Sequence, residues 1–541
     1  MTGPGTYWRT LRHLRLQQVL GRIRFRIARP RPDMRPSPPQ RTPSGPWAAP
    51  ARREASLVGD ATFTFLGERH ALDAIGWDDP EVAKLWRYNQ HYFDDLNAFD
   101  AGHRAVAHAG LVTRWIAENP PASGTGWEPY PVSLRIVNWI KWAMGGGALS
   151  ANAAHSLAVQ ARWLCRRLEF HLLGNHLFAN AKALVYAGLF FEGPEANEWL
   201  GLGCSILARE VCEQVLPDGG HFERSPMYHA LAVEDVLDLV NLMDAAGEAT
   251  LPLRAEIAQR LPAMLRWLQA LSHPDGSLAL FNDTAQGIAP ANGELMRYAA
   301  ALRFAPTPGT DALVMHLPDS GYLRVEIPPM VALLDLAPIG PDYLPGHAHA
   351  DTLSFELSIG SQRIIVNGGT SCYGLGARRR YERSTAAHST VTVDEEDSSE
   401  VWSGFRVGRR ARPGVPQVTQ EGARCEVECT HDGYRHLPGQ PLHHRRWSFD
   451  PGALTVTDSV GNPRLPALAH FHLAPGLMPS PTGPGAWVIS DRSGELCSVE
   501  VLCGASRLEP STHSQRFGAV ESTHCIAIAL QDGSATTRWT W

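Results

Sequence analysis

Several features that would assign a chain quickly to a class are missing from this sequence. Its nine cysteines include no Cys-x-x-Cys motif, so we expect buried free thiols rather than a disulfide framework. No stretch is long and apolar enough to span a bilayer. The first residues contain neither an apolar core nor a small-residue cleavage site, which argues against a conventional signal peptide. No fixed-period motif indicates a solenoid.

The chain as a whole also lacks an excess of positive charge. Its net charge of −6 argues against a general nucleic-acid-binding protein, since neutralising phosphates needs a basic surface. The hydrophobic fraction of 44% and the charged fraction of 19% are typical of a globular protein. At 541 residues the chain is too long for one ordinary core, so we expect two large domains.

The N-terminal arm, residues 1–56, departs from this composition. Between residues 7 and 35 it carries nine arginines interleaved with apolar residues. One interpretation is a basic amphipathic helix that makes peripheral contact with an anionic membrane. The other, favoured by the acidity of the remaining chain, is an arm that packs on its own body. Residues 30–56 are rich in proline, arginine and alanine and predict a linker or an extended wrap.

Two hydrophobic patterns divide the rest of the chain. Over residues 57–312, apolar residues recur at helical spacing and predict roughly ten antiparallel helices, which would close into an (α/α) toroid of helical hairpins. Over residues 313–541 the period changes to two, which predicts an antiparallel β-sandwich. The predicted helices are 106–119, 133–144, 155–173, 177–191, 205–216, 231–246 and 254–271. The predicted strands are 331–336, 353–359, 362–367, 390–394, 425–431, 445–450, 454–460, 468–473, 496–503 and 525–530.

Three short polar stretches carry most of the chemistry. Asn175 and His176 precede an apolar helical run, where they either cap the helix or act at a site. Tyr228 follows a Ser-Pro turn and is either a packing residue or a second member of that site. The third stretch, His-Ala-His-Ala-Asp at residues 347–351, lies in strand-like sequence. A site assembled from helical and strand regions is expected in a cleft between two domains.

The histidine stretch also predicts a metal site. Positions two apart in a strand face the same way, so His347, His349 and Asp351 are expected to converge. Such polar groups must be solvated, paired or bound to metal. With His388, which precedes another strand, the histidines make a Zn²⁺ ligand set. A hydrogen-bonded polar cluster is the alternative.

Longer motifs surround these stretches. The helical part contains Trp-x-Tyr-Asn-x-His-Tyr from residue 86, Gly-Trp-x-x-Tyr-Pro-x-Ser-x-Arg from residue 126, and Asp-Gly-Gly-His-Phe-Glu-x-Ser-Pro-x-Tyr-His from residue 218. The strand part contains Gly-His-x-His-x-Asp-x-Leu-Ser-Phe from residue 346 and Tyr-x-Arg-Ser-Thr-Ala-Ala-His from residue 381. Through these motifs most of the chain resembles the heparinase II/III family of polysaccharide lyases, including its alginate-lyase-like members. The resemblance implies a toroid followed by a sandwich, with an acidic polysaccharide bound between them.

The reaction implied by the resemblance is β-elimination at a uronic acid. Its carboxylate gains charge as the neighbouring proton leaves, and donors such as Asn175 and His176 would stabilise that charge. Tyr228 matches the family's acid, or its acid and base together; the base role needs nearby positive charge to lower its pKa. His347 matches the family's catalytic histidine, as the base or as the partner of Tyr228.

The resemblance also implies a structural zinc held by His349 and His388. Where the family has an aspartate as third ligand, this chain has Asn367. Asparagine lacks the negative charge that helps to hold Zn²⁺, so we predict substoichiometric zinc, with Asp351 as an alternative ligand. No organic cofactor is expected.

Further residues match motif positions lining the toroid interior, or could pair with substrate carboxylate or sulfate. They are Tyr88, Asn89, His91, Trp127, Arg135, Arg224 and Arg383. Tyr373 or Tyr381 could supply a second phenol. The Arg378–Arg380 run is either a solvated loop or a patch that steers a polyanion.

Three other functions remain open at this point. A glycoside hydrolase on the same toroid would need two carboxylates facing the cleft, for which Asp218 and Glu223 are available. A metal-dependent cupin oxygenase would use the His-x-His pair but leaves the helical half unexplained. A non-catalytic polysaccharide-binding or exopolysaccharide assembly protein would keep the fold. The resemblance favours the cell envelope or periplasm, while the lack of a conventional signal peptide leaves the cytoplasm open.

Overall fold

The computed structural model describes residues 3–59, 61–248, 251–307 and 313–541. Its longer helices are α1 (Pro4–Leu11), α2 (Leu16–Ile27), α3 (Leu72–Ile75), α4 (Lys84–Tyr92), α5 (Ala105–Glu118), α6 (Pro129–Met144), α7 (Ala151–Arg166), α8 (Gly174–Phe190), α9 (Pro194–Gln214), α10 (Pro226–Ala245), α11 (Pro252–Ala270), α12 (Asn292–Ala301) and α13 (Ala377–Glu382). Short 3₁₀ turns cover Asp94–Asn97, Ala101–Arg104, Thr125–Trp127 and Thr385–Ala387.

Helix α8 is the central element of the toroid. Every residue from Leu177 to Phe190 is buried, as expected for a helix that is apolar on all sides. Helices α6, α9 and α10 pack around it. Helix α10 begins at Pro226, whose fixed φ suits the first helical position, and the Ser225 side chain accepts a hydrogen bond from the backbone N–H of Tyr228. The first turns of α8 and α10 therefore carry Asn175, His176 and Tyr228.

A second region consists almost entirely of strands. A hairpin of β1 (Thr62–Phe65) and β2 (Glu68–Ala71) precedes the toroid. The later strands are β3 (Val314–Leu317), β4 (Tyr322–Ile327), β5 (Met330–Asp335), β6 (Phe355–Ile359), β7 (Gln362–Val366), β8 (Val391–Val393), β9 (Val401–Trp402), β10 (Arg406–Val407), β11 (Gln417–Glu421), β12 (Arg424–His431), β13 (His443–Asp450), β14 (Ala453–Val460), β15 (Ala467–Leu473), β16 (Met478–Gly483), β17 (Ala486–Asp491), β18 (Gly494–Cys503), β19 (Ala505–His513), β20 (Glu521–Ala529) and β21 (Ser534–Thr540).

Two large antiparallel sheets make up the sandwich. One has the order β11-β12-β13-β14-β21-β18-β17-β16, and the other runs β19-β20-β15-β7-β6-β5-β4-β3, with β8 also paired to β15. Their facing sides enclose a core that includes Phe355, Trp447, Phe471 and Trp539. The predicted fold, a helical toroid followed by an antiparallel β-sandwich, is confirmed.

Several predicted elements differ from the structure. Residues 347–351 form a loop before β6, not a strand. Leu353 has a φ of +63°, outside the extended region, so the strand predicted from residue 353 begins only at Phe355. The helix predicted over 155–173 ends at Arg166. Among the later strands, the prediction omits β3, β4, β9, β10, β11, β16, β17, β19 and β21. Of these, β11 and β16 consist largely of exposed residues, so they lack an alternation of buried and exposed positions. The predicted domain boundary at residue 312 lies outside the described residues.

The N-terminal arm packs on both regions. Thr6 and Arg9 of α1 donate hydrogen bonds to Glu400 on the sandwich side, the Arg9 Nε bond being 2.7 Å long. On α2, Gln18 Nε2 donates to the backbone oxygen of Tyr343 at 3.2 Å, and the Phe25 ring lies 4.2 Å from that of His171. The arm thus contacts its own body, as the favoured interpretation predicted.

The following segment, residues 30–56, runs along the toroid in extended form. Arg162 of α7 donates a 2.9 Å hydrogen bond to the backbone oxygen of Pro36, and the Ala48 N–H donates to Asn241 of α10 at 3.0 Å. In the described part of the chain, no helix has the length and apolar character needed to cross a bilayer.

Candidate active site

A cavity of about 800 Å³ lies where the toroid, the sandwich and the arm meet. We call it the cleft. Asn175, His176 and Tyr228 reach it from the toroid, and His347 and Tyr373 reach it from the sandwich side. All four predicted catalytic residues therefore line one cavity, although the histidine arrives on a loop.

An unusual backbone turn positions Asn175 and His176. Leu173 and Gly174 both have positive φ, at +64° and +54°. A Cβ on Gly174 would meet the side chain of Leu344 and lie 2.9 Å from Glu223 Oε1, so only glycine fits this close approach. The turn directs the first residues of α8 into the cleft.

His176 is held beside an acidic group. Its Nδ1 atom lies 3.2 Å from Glu169 Oε1, and its ring lies 4.5 Å from that of Tyr130. Burial works against the charged form, but attraction to Glu169 and Glu223 outweighs it and raises the pKa of His176 above its ordinary value. The imidazole is thus tuned to carry positive charge in the cleft.

Tyr228 stacks on the catalytic histidine candidate. The rings of Tyr228 and His347 lie 3.9 Å apart at an angle of 30°, and the Tyr228 hydroxyl is 3.2 Å from that of Tyr373. Burial, and then the neighbouring Tyr373, raise the pKa of Tyr228 well above its ordinary value. The condition stated for the base role, nearby positive charge that lowers this pKa, is therefore not met by the groups that surround Tyr228. Tyr373, not Tyr381, is the second phenol beside it.

Two carboxylates flank His347. Its Nδ1 atom is 2.9 Å from Asp283 Oδ2, and its Nε2 atom is 3.5 Å from Glu223 Oε2. Because a carboxylate accepts, the ring donates from Nδ1 to Asp283 and leaves the lone pair on Nε2. This nitrogen faces the cleft and can take up a proton.

Glu223 has an unusual environment for a carboxylate. Its side chain is only 1% exposed, and neither carboxylate oxygen has a hydrogen-bond partner in the described part of the chain. Burial raises the pKa of Glu223, while the attraction of His347 opposes the rise. The sequence placed Glu223 in a motif but gave it a role only in the hydrolase alternative.

Asp283 was missed by the sequence analysis. It lies in a loop after α11 with no motif around it, and only the fold brings it beside His347. The carboxylate accepts hydrogen bonds from His347, from His349 Nε2 at 2.8 Å and from Arg379 Nη2 at 2.7 Å. Burial opposes its ionisation, but Arg379 and the two histidines hold the pKa of Asp283 well below its ordinary value. Arg379 itself is fully buried, so the 378–380 run is not a solvated loop throughout.

Behind His347, the predicted metal ligands meet. His349, Asp351 and His388 are buried and bring their ligand atoms within 4.8 Å of one another. His349 Nδ1 lies 3.1 Å from His388 Nε2, close to the separation of roughly 3.3 Å between two nitrogens bound tetrahedrally to zinc.

The hydrogen bonds of these histidines favour a cation between them. His349 donates its Nε2 proton to Asp283, and His388 donates its Nδ1 proton to the backbone oxygen of Ser384 at 2.7 Å. Burial lowers the pKa of both histidines to about 4. The two neutral rings therefore point the lone pairs of His349 Nδ1 and His388 Nε2 at each other. The hydrogen bonds on their other nitrogens, to Asp283 and to the Ser384 oxygen, are of the kind that orients metal-bound histidines. The residues present therefore fit a zinc ion.

Asn367 lies next to this cluster. Its Oδ1 atom accepts a 3.1 Å hydrogen bond from the backbone N–H of Ser389, the residue after His388. Its Nδ2 atom is buried without an acceptor among the residues described. Since its amide oxygen is already engaged and the side chain has no negative charge, Asn367 is a poor metal ligand, and the weakening of zinc binding stays a prediction.

The predicted substrate contacts divide into two groups. Tyr88 and Asn89 line the cleft, and the Tyr88 hydroxyl donates to Glu128. The residues that do not line it, contrary to prediction, are His91, Trp127, Arg135, Arg224 and Arg383.

Four of these five residues are buried and serve packing. Arg135 is fully buried, donates to the backbone oxygens of His91 and Gly126, and lies over the Trp115 ring. Trp127 donates to the backbone of Asn119. His91 and Arg383 likewise bond within the protein. Matching a motif position thus predicted importance to the fold rather than contact with substrate.

The fifth residue, Arg224, is half-buried and has a φ of +59°. Its Nε donates a 3.0 Å hydrogen bond to the backbone oxygen of Ser320, between the toroid and the first strands of the sandwich. It joins the two regions.

The positive charges of the cleft also form two groups. Lys141, Lys182 and Arg53 are neutralised by an acidic cluster formed by the buried Glu234 and Asp238 and the half-buried Asp235. Arg22 of the arm and Arg406 of the sandwich, by contrast, line the cleft and form no ion pair in the described ranges. Burial and repulsion from Arg406 lower the pKa of Arg22. These two guanidinium groups are available to an anion.

Fold and site together define the toroid-and-sandwich class of polysaccharide-lyase folds. The chain belongs to the heparinase II/III family: residues 107–306 match the heparinase II/III N-terminus and residues 310–541 the heparinase II/III-like C-terminal domain.

The individual proteins that the chain resembles share less than 30% of their residues with it. FtsZ-localized protein C of Caulobacter vibrioides is 27% identical over 526 residues, covering 87% of this chain and 85% of that protein. A heparin-sulfate lyase of Bacteroides stercoris is 26% identical over 332 residues, covering 56% of this chain and 46% of that enzyme, so less than half of the enzyme is matched. A crystal structure of heparinase III superposes with a TM-score of 0.66 at 18% identity, over 88% of this chain and 79% of that one.

Proposed function

We propose that the protein is a polysaccharide lyase that cleaves a uronic-acid-containing polymer by β-elimination. The observation that carries this proposal is the stacked pair of Tyr228 and His347, with Asn175 and His176 on the same cleft. β-Elimination needs a base, an acid and stabilisation of a carboxylate that gains charge. The cleft has a group for each task.

Asn175 and His176 would bind the uronate carboxylate. An asparagine amide donates hydrogen bonds to a carboxylate, and His176 adds positive charge because its pKa is raised. Both effects grow as negative charge builds on the carboxylate during proton removal, so they lower the barrier rather than only tighten binding.

His347 would be the base and Tyr228 the acid. The Nε2 atom of His347 carries the lone pair, and Glu223 lies 3.5 Å away to stabilise the imidazolium that forms. Tyr228 keeps its proton, since its pKa is raised, and can give it to the glycosidic oxygen as that bond breaks. The proton lost from the sugar thus ends on His347, and the leaving oxygen receives one from Tyr228.

A hydrolase of the same fold is less well supported. Of the two carboxylates proposed for it, Asp218 accepts hydrogen bonds from Ser320 and Gly220 and is buried away from the cleft. Asp283, the other carboxylate near Glu223, is fully engaged by Arg379 and two histidines. Neither Asp218 nor Asp283 is therefore free to act with Glu223 in activating water.

A structural zinc would be held by His349, His388 and Asp351, with Asp283 orienting His349 from behind. When bound, such an ion would fix the loop that carries His347. The proton transfers described above use the side chains of the cleft alone.

The test is a panel of acidic polysaccharides incubated with the protein. Elimination creates a conjugated double bond whose ultraviolet absorbance reports the reaction. Reducing ends without this absorbance would indicate hydrolysis, and binding without either would indicate the non-catalytic alternative. Tyr228→Phe is expected to reduce the rate by about 10²- to 10⁴-fold, the usual contribution of a positioned acid. An unchanged rate in this variant would remove Tyr228 from the mechanism.

A further inference from the structure

The outward side of the N-terminal arm is unusually apolar. Trp8 is 68% exposed, Leu16 70% and Ile27 74%. Among all residues that the structure describes, large exposed hydrophobic side chains are concentrated in this short segment. Those of α1 and α2 are Tyr7, Trp8, Leu11, Leu16, Val19, Leu20, Ile23 and Ile27.

Helix geometry places four of these side chains along one face of α2. Leu16, Leu20, Ile23 and Ile27 follow one another at spacings of four, three and four residues, which align along a helix. The opposite face is the one that packs on the protein, since Gln18 is buried there and a Cβ on Gly21 would lie 3.0 Å from the backbone nitrogen of His171. The apolar face is therefore not the face that holds the arm in place.

Unpaired positive charge borders the apolar face. Residues 3–32 contain eight arginines and no acidic residue, in a chain whose net charge is −6. Arg9 and Arg15 pair with Glu400 and Glu213 on the body. Exposed arginines without an ion pair in the described parts of the chain are Arg12, Arg24, Arg26, Arg29 and Arg31.

We propose that this outward face binds the surface of an anionic lipid bilayer, with α1 and α2 lying in the plane of the interface. A bilayer satisfies both features at once. Its acyl boundary accepts apolar side chains to a depth of roughly 5–10 Å, and its headgroups pair with the surrounding guanidinium groups. Trp8 suits the headgroup level. The surface is separate from the catalytic groups, so this inference is independent of the proposed lyase activity.

The experiment is co-sedimentation of the full chain with vesicles. Binding is expected to vesicles that contain phosphatidylglycerol, to be weak with phosphatidylcholine alone, and to fall as salt is raised. The triple variant Arg24→Gln, Arg26→Gln, Arg29→Gln is expected to bind about a hundredfold more weakly, at about fivefold for each charge. The apolar variant Leu16→Gln, Leu20→Gln, Ile23→Gln is expected to lose at least about tenfold.

A matched control is Val106→Gln with Val415→Gln, since both valines are 91% exposed but lie outside the arm. It should bind like the unaltered protein. Equal binding to both kinds of vesicle, no binding to either, or binding that survives both triple variants would overturn the proposal. So would light scattering that shows a dimer which the apolar variant converts to a monomer, because the face would then bind a second copy. The vesicle assay does not measure catalysis, so its failure is distinct from failure of the lyase proposal.

Discussion

Replacing Glu223 by glutamine tests the proposed role of His347 most directly. The change keeps the shape of the side chain and removes its charge. At the observed 3.5 Å from His347 Nε2, a unit charge attracts a forming imidazolium by about 5 kcal/mol at an effective dielectric constant of 20. Solvent reaches part of His347, which is 15% exposed, so we expect about half of this value. That corresponds to a loss of about 10²-fold in kcat/KM.

The same variant makes a prediction about stability. The pKa of Glu223 is raised in the folded protein, so between its unfolded and folded values the native state holds more protons than the unfolded state. The stability of the unaltered protein should therefore fall as pH rises through that window, by about 1.4 kcal/mol for each unit of pKa change. Glu223→Gln lacks this loss and should gain relative stability as pH rises above the ordinary pKa of a glutamate.

Activity is measured by the absorbance of the unsaturated product, and stability by urea denaturation at several pH values. Glu210→Gln is the matched control, because Glu210 is also buried with a raised pKa but does not line the cleft. The control should share the pH effect on stability and keep full activity. Wild-type kcat/KM in Glu223→Gln would refute the role of this carboxylate, and with it the choice of His347 as base.

Three further predictions concern the neighbours of these groups. Glu169→Gln removes the charge that raises the pKa of His176, so this pKa should fall. In a pH-rate profile, the decline of kcat/KM at high pH should then begin at a lower pH than in the unaltered protein. A profile that does not move would contradict the role of His176. Asp283→Asn leaves the buried charge of Arg379 uncompensated and should cost about 3–5 kcal/mol in the free energy of unfolding, a loss that chemical denaturation would detect; a cost below about 1 kcal/mol would contradict the ion pair. Metal analysis of the untreated protein should give less than one zinc per chain, while Asn367→Asp should bind zinc about 10- to 100-fold more tightly; one tightly bound zinc in the unaltered chain would contradict this.

The sequence predicted the parts of the fold that follow local periodicity. The toroid helices and the central strands of the sandwich have regular apolar spacing, and most lie close to their predicted positions. The exposed strand β11, whose five residues are all exposed, has no apolar alternation to detect. The loop at residues 347–351 was mistaken for a strand because its polar residues alternate with alanines, although those alanines are buried by tertiary packing.

For the site, motifs located residues but not their partners. Tyr228 and His347 were predicted together, yet their stacking depends on how the two regions dock. Asp283 has no sequence signal, since a lone aspartate in a loop is ordinary until the fold places two histidines and Arg379 around it. Arg135 shows the opposite error. This motif arginine was predicted to bind an anion, but inside the toroid its guanidinium group donates its hydrogen bonds to backbone oxygens instead.

The position of Asp283 would also couple the proposed binding of the polymer to the proposed binding of a metal ion. One oxygen of this carboxylate accepts from His347, which faces the cleft, and the other accepts from His349, which faces the metal cluster. A ligand that changes the charge on either ring changes the strength of the other ring's hydrogen bond. Because such coupling is reciprocal, a metal ion that changes the affinity for the polymer by some factor has its own affinity changed by the polymer by the same factor. Chelation would then alter the affinity for substrate without any metal having touched the sugar.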